Sequence, residues 1–296
     1  MRAEIERAVQ LLQSRDAKAL EQAIALLQNT VFSFSMKVCG QREDAEDTMQ
    51  EVLIKSLRYL PQFESPQALS VWLYKVARTR CLMSRRKSKF APRESLSLEN
   101  LMPDRQELET LSGGASGTPE SSILRGEDAR GMQEAVRKLP PEYRVVLVLH
   151  DMEELSDKEI AQIMRVRPGT VRVRLHRARL FVRKELARRD AHGLPRRLRR
   201  ALPPVKKASH PRSGRCQAMF AELSNYLDDA LDDSLCEKLE KHLDGCRPCQ
   251  GFLSSLEEAI ERCRQTPDVR PDAQKAAKLR QGLLSEYQKA LAERPS

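Results

Sequence analysis

The sequence predicts an all-α protein: two small helical domains joined by a flexible polar linker, then a small helical metal-binding domain at the C-terminal end. Three observations predict it. Only 12 Gly and 4% aromatic residues accompany 32% charged residues and long runs rich in Leu, Ala, Glu and Arg, a composition that favours helices over sheets. Apolar residues recur at helical spacing, first at Ile5, Val9 and Leu12, then at Leu20, Ile24 and Leu27. Near the C-terminal end, three Cys and one His stand at metal-ligand spacing. A length of 296 residues suffices for two or three modest cores.

Taken in order, residues 1–90 form the first domain, with helices from Glu4 to about Leu60 and a further helix to about Arg86. Periodicity then fades, and Pro92, Pro103, Gly113, Gly114, Gly117 and Pro119 mark a flexible linker over 91–131. It returns over 132–189, the second domain. Gly193, Pro195, Pro203, Pro204 and Pro211 interrupt a basic linker over 190–215. Compact helices around the Cys/His cluster occupy 216–263, and a polar tail over 264–296 carries a short helix, Ala273 to Leu291.

The formal net charge of +10 hides a division. Residues 1–215 carry 41 basic against 27 acidic side chains, whereas 216–263 carry 4 against 11. A basic segment suits a polyanion, and the sign reversal allows the acidic module to contact the basic part of the same chain. No apolar run approaches the roughly 20 residues needed to cross a bilayer, and the first residues lack the apolar core of a signal peptide. The expected location is the cytoplasm, without a membrane partner. There, seven Cys favour a metal over a disulfide framework.

In the second domain, a helix from Asp157 to Met164 turns Ile160, Ala161, Ile163 and Met164 inward, and the turn Arg165-Val-Arg leads into Pro168-Gly-Thr-Val-Arg-Val-Arg-Leu-His-Arg-Ala-Arg-Leu. This is helix-turn-helix spacing. Val171, Leu175 and Ala178 face a core, while Arg172, Arg174, Arg177 and Arg179 project elsewhere. A solvated amphipathic helix has the same face; the preceding turn and flanking helices favour the major groove, where Arg reads guanine edges and clamps phosphates. Leu139-Pro-Pro-Glu-Tyr-Arg-Val-Val-Leu, Glu159-Ile-Ala-Gln-Ile-Met and Gly169-Thr-Val-Arg-Val-Arg-Leu-His-Arg-Ala-Arg resemble region four of the sigma-70 family, which reads the minus-thirty-five promoter element. The resemblance implies promoter contacts by Arg167, Thr170, Arg172, Arg174 and Arg177. Arg165 stands where that family usually has Gly, at a turn position that needs a positive φ, and Val173 replaces a frequent Ser.

In the first domain, Asp44-Ala-Glu-Asp-Thr-Met-Gln-Glu-Val-Leu-Ile-Lys-Ser-Leu places Ala45, Met49, Val52, Leu53 and Leu57 on one helical side and acids on another. Val71-Trp-Leu-Tyr-Lys-Val-Ala-Arg-Thr-Arg, leading to Ser84-Arg-Arg-Lys-Ser-Lys, interleaves aromatics with cations, the combination that holds unstacked bases and a single-strand backbone. Trp72 alone is expected to be core packing. These strings resemble sigma region two. The resemblance implies that Asp44, Asp47, Gln50 and Glu51 dock on core RNA polymerase, and that Tyr74, Lys75, Arg78, Arg80, Arg85 and Arg86 contact the minus-ten strand. Thr79 and Met83 depart from the family's usual Asn and Asp.

His242-Leu-Asp-Gly-Cys-Arg-Pro-Cys offers donors at i, i+4 and i+7, one side of a helix if the helix continues, and Cys216 lies 26 positions earlier. Cys216, His242, Cys246 and Cys249 suit one closed, tetrahedral Zn(2+) ion of structural or regulatory type. The surrounding string resembles the zinc-binding anti-sigma fold, whose members wrap a cognate sigma factor. Cys236 and Cys263 fall outside this ligand set. We find no nucleotide-binding Gly loop and no nucleophile–base pair, so the protein is expected to be no enzyme, and His150 and His176 are expected to be structural or DNA-proximal. The order of modules implies an extracytoplasmic-function sigma factor. It would bind bacterial core RNA polymerase and promoter DNA and be modulated by its own zinc-binding domain, through an intramolecular contact. The alternative is a helix-turn-helix regulator acting without core polymerase.

Overall fold

The computed structural model describes residues 2–13, 16–56, 59, 63, 65–84, 95–103, 107, 125–193 and 214–292. Among them there is no strand, in accord with the all-α expectation, and no helix is long and apolar enough to cross a membrane. The chain forms two compact units that interleave along the sequence: one from residues 1–93, 148–168 and 267–296, the other from 94–147 and 169–266.

The first unit opens with α1 (Arg2–Gln13), α2 (Ala17–Cys39), α3 (Arg42–Ser56) and α4 (Pro66–Ser84). Asp16 caps α2 by accepting from the Ala19 N–H at 3.1 Å. Gly40 ends it at φ 73°, a left-handed turn suited to glycine, and sends the chain straight into α3. Ile24, Leu27, Phe34, Val52, Leu53, Leu69, Leu73 and Ala77 are buried. Removing them from water is the main force holding these helices together.

Residues 148–168 add a π-helical turn, Val148–Met152, and α8 (Asp157–Met164). The Glu153 N–H donates to the Val148 carbonyl at 3.0 Å, and the carboxyl of Glu153 enters the core, 2% exposed. Ser156 and Glu159 form a reciprocal capping box at the start of α8. Finally α13 (Ala273–Ala292) lies on α2 and α3, with Ala276 and Leu283 buried. The tail expected to be merely polar is thus part of this core, because its few apolar residues share one helical face.

The second unit contains α5 (Leu98–Leu101), α6 (Arg125–Lys138), α7 (Pro141–Leu147), most of α9 (Pro168–Gly193), α10 (Gly214–Leu227), α11 (Asp233–Gly245) and α12 (Arg247–Arg264). Leu101, Met102, Leu180, Phe220, Leu223, Leu239, Phe252, Leu256 and Ile260 share one core, and the Phe220 and Phe252 rings meet edge to face at 4.7 Å. Leu101 and Met102 belong to the stretch expected to be a flexible linker. Four apolar residues there, Leu96, Leu98, Leu101 and Met102, give it enough surface to bury, and it docks. Most of the second linker, 194–213, lies outside the described residues.

Candidate functional site

On α3 the apolar face (Ala45, Thr48, Met49, Val52, Leu53) is buried, while Asp47 and Gln50 are exposed and Asp44 and Glu51 half-buried. Glu51 accepts from Lys55 at 2.6 Å and pairs with Arg80 of α4 at 2.8 Å. The Lys55 hydrogen bond, aided by Arg80, holds the Glu51 carboxyl below its usual range. Two residues expected to serve different partners therefore hold each other.

The strand-contact candidates of α4 divide sharply. Lys75 is half-buried. Arg78 reaches the Ile163 carbonyl of α8 at 3.4 Å, and Gln67 donates to Glu159 at 2.9 Å. Tyr74, expected to stack on a base, is 2% exposed and donates its hydroxyl to Glu153 at 2.7 Å; this phenol has a buried acceptor that residues 71–80 alone do not reveal. Arg85 and Arg86 lie outside the described residues. Trp72 is half-buried, its ring near Tyr59 (5.6 Å) and Phe63 (5.9 Å), which fits the packing role expected of it.

Tyr74 belongs to a buried polar cluster. The Lys37 ammonium of α2 lies 3.3 Å from Glu153 and 2.8 Å from Asp268, the residue just before α13, and Ser33 donates to Asp268 at 2.7 Å. Burial disfavours the Lys37 charge, yet Glu153 and Asp268 together carry its pKa above the ordinary lysine value. For Glu153 burial prevails, and its carboxyl is held above the usual range despite Lys37 and Tyr74. More bonds tie the tail to the same unit. Gln28 donates to the Ala276 carbonyl at 3.0 Å, Arg280 to Gln28 at 3.1 Å, and Lys275 to Glu46 of α3 at 2.6 Å.

Between α8 and α9, Arg165 adopts φ 56°, ψ 47°, the left-handed conformation expected at this turn. Arg167 and Arg172 are exposed, and Thr170 is half-buried. Arg174 pairs with Glu142, and Arg177 donates to the Leu96 carbonyl at 3.1 Å. Farther along α9, Arg179 does not project outward. It is 1% exposed and forks onto Asp228 at 2.7 and 2.9 Å, with Ser224 at 2.8 Å. Arg183, also buried, pairs with Glu107 at 2.6 Å and lies 4.2 Å over the Phe252 ring. The appended module supplies Asp228 and the Phe252 ring, and the stretch before the second domain supplies Glu107, to a helix that would otherwise turn these cations to water. His176 is buried, and burial together with Arg179 and Arg177 lowers its pKa to about 4. His150 Nδ1 lies 2.9 Å from Asp151.

Cys216 sits in the first turn of α10 and His242 in the last turn of α11, while Cys246 lies between helices and Cys249 opens α12. The continuous helix considered for the three donors is broken at Cys246 (φ −131°, ψ 88°), and the next one starts at Arg247 with Pro248 in its first turn. The four donor atoms lie within 4.8 Å of one another, with His242 Nε2 3.7 Å from Cys216 Sγ and 3.2 Å from Cys249 Sγ. Tetrahedral zinc, with bonds of about 2.0–2.3 Å, requires donor separations of about 3.5–3.8 Å; the donor set is the right one, and shifts of up to about 1 Å would bring these atoms to that spacing. Burial and the neighbouring Cys246 and Cys216 push the Cys249 thiol up, a cost that a divalent cation would reverse. Cys263 is 2% exposed and packs against Met132. Cys236 is partly exposed; burial, then Glu240 and Asp233, raises its pKa.

Comparison with known proteins follows these modules. Residues 23–90 match the family described as Sigma-70 region 2, residues 129–182 match Sigma-70, region 4, and residues 216–250 match the family described as "Putative zinc-finger". The chain is 28% identical over 185 residues to the ECF RNA polymerase sigma factor SigW of Bacillus subtilis, covering 62% of this chain and 96% of that protein. It is 29% identical over 178 residues to the ECF RNA polymerase sigma-E factor of Escherichia coli, covering 58% and 88%. To the ECF RNA polymerase sigma factor SigE of Mycolicibacterium smegmatis it is 30% identical over 162 residues, covering 54% and 59%.

Proposed function

This chain belongs to the sigma-70 family, in its extracytoplasmic-function group, and on that premise we propose that it is a sigma factor restrained by its own C-terminal segments. As a member of that group it binds core RNA polymerase and directs promoter-specific initiation. The polymerase performs the chemistry; this chain supplies the docking surface and the DNA readers, and the cytoplasm is where it works. Asp44, Asp47, Gln50 and Glu51 would face polymerase. Lys75, Arg78, Arg80, Arg85 and Arg86 would hold the opened strand, and Arg167, Thr170, Arg172, Arg174 and Arg177 the upstream duplex.

One observation carries the restraint: acids of the C-terminal part bind buried cations of both sigma modules, Asp228 on Arg179 and Asp268 on Lys37. The contacts of α4 with α8, through Gln67–Glu159 and Arg78–Ile163, point the same way. Elements 25 base pairs apart are separated by roughly 85 Å of duplex, so the two helices must part before both modules read a promoter. Tyr74, buried against Glu153, would be released by the same opening. Cys216, His242, Cys246 and Cys249 would hold one zinc ion, which keeps α10, α11 and α12 together and so keeps Asp228 in place.

Binding to purified core polymerase tests this reading. Full-length, zinc-loaded protein should bind weakly, and a truncation ending at Ser209 should bind at least ten-fold more tightly. Equal affinity would refute the restraint, a loss on truncation would make the C-terminal part a positive element, and no binding by either would refute the docking role.

A further inference from the structure

Cys39 and Cys81 are joined by a disulfide, with Cα atoms 5.3 Å apart. Neither belongs to the zinc cluster, and both lie in the first unit. Cys39 is the last residue of α2, immediately before Gly40 turns the chain into α3, and Cys81 lies in the last turn of α4. The Thr48 hydroxyl of α3 approaches both sulfurs, at 4.0 and 3.8 Å. The crosslink therefore fastens the C-terminal ends of α2 and α4 to each other against the middle of α3, beneath the face opposite Asp47 and Gln50 and one turn before the basic sequence that follows α4.

We propose that Cys39 and Cys81 are a reversible dithiol–disulfide pair that sets how firmly the last turn of α4 is held, with a hydroperoxide as oxidant. In the first step a thiolate attacks the peroxide. An S–O bond forms, the O–O bond breaks, and the departing hydroxide takes up a proton to leave as water. The second thiol then attacks the sulfenic sulfur; the S–S bond forms, the S–O bond breaks, and a second water leaves. Two thiols lose two electrons, and one hydrogen peroxide becomes two waters. Both residues are essentially buried, 0% and 1% exposed, so access requires the ends of α2 and α4 to open locally. A small neutral peroxide passes such an opening more readily than a protein-sized oxidant. Helix C-termini also disfavour thiolates, so the pair responds slowly, to sustained oxidation, and by a route separate from the zinc thiolates.

Differential alkylation and mass spectrometry of the full-length, zinc-loaded protein test this directly, after dithiothreitol and after hydrogen peroxide. Dithiothreitol should leave both residues alkylatable once the protein is denatured, and peroxide should yield the linked Cys39–Cys81 peptide. The oxidised protein should unfold about 5–10 °C higher than the reduced one, with slower amide exchange over residues 78–84. Cys39→Ala and Cys81→Ala should each abolish the difference while Cys236→Ser keeps it; reduced wild type serves as reference if a variant folds poorly. Pairing of Cys39 or Cys81 with another cysteine, no crosslink in excess peroxide, or a crosslink without a change in the midpoint or in exchange would each overturn the proposal.

Discussion

Both units bury a cation of the sigma modules against an acid from the C-terminal segment, but with opposite degrees of redundancy. Lys37 has two carboxylates within 3.3 Å, Glu153 and Asp268, and Tyr74 also bonds Glu153. Arg179 is gripped by Asp228 through both forks of its guanidinium. A shared cluster survives the loss of a member. A bidentate pair is more vulnerable, because both of its charged hydrogen bonds go to one carboxylate. The difference teaches that the zinc module's contact is the brittle one and the tail's contact the tolerant one.

Removing the metal should break the comparison most completely. Structural zinc contributes on the order of 10 kcal/mol to small domains. Chelation should therefore unfold residues 216–263 while leaving the first unit folded, as read by amide exchange; loss of both units together would show that they fold as one. Next, Asp228→Ala should destabilise the second unit by about 3–5 kcal/mol in chemical denaturation, because the buried Arg179 loses its bidentate carboxylate, and Arg179→Met by less, because the Asp228 carboxylate that it leaves is 20% exposed and reaches water. Asp268→Ala should cost only about 1 kcal/mol, because Glu153 still pairs with Lys37. A cost as large as that of Asp228→Ala would refute the redundancy.

Acid should act through His176 and Glu153, one in each unit, with opposite signs. His176 titrates near 4 in the fold and near 6.5 when unfolded. The unfolded chain therefore binds more protons between these values, and stability of the second unit should fall as pH drops from about 6.5 to 4, by up to ~3 kcal/mol. The Glu153 pKa is raised, so protonation of that carboxyl favours the fold of the first unit. Unfolding midpoints of wild type and His176→Leu against pH check this, and an unchanged slope in the variant would exclude His176 as the source. The smallest effect is local. Arg165→Gly relieves a left-handed residue at φ 56° and should stabilise the protein by no more than about 1 kcal/mol, measurable as a small rise in the unfolding midpoint.

Most of the helices were legible in the sequence because burying one face of a helix imposes a 3.6-residue period, as in Ala45, Met49, Val52 and Leu53. The capping box at Ser156, the left-handed turn at Arg165 and the four donors of the metal cluster were legible too, since each depends on residues close in sequence or on ligand types too scarce to mistake. Tyr74, Arg179 and the tail were not. Periodicity tells which face of a helix is dry when one partner covers it, and α9 has a second dry face because α10, the turn after it and α12 supply Ser224, Asp228 and Phe252, and residue Glu107 joins them. The pairing of Cys39 with Cys81, 42 positions apart, likewise depended on α2 and α4 ending at the same place. The sequence by itself determined the helices, the order of modules and the family, through local periodicity and motif. Only the tertiary structure decided which charges are buried, because burying a charge depends on a partner that chain distance does not reveal.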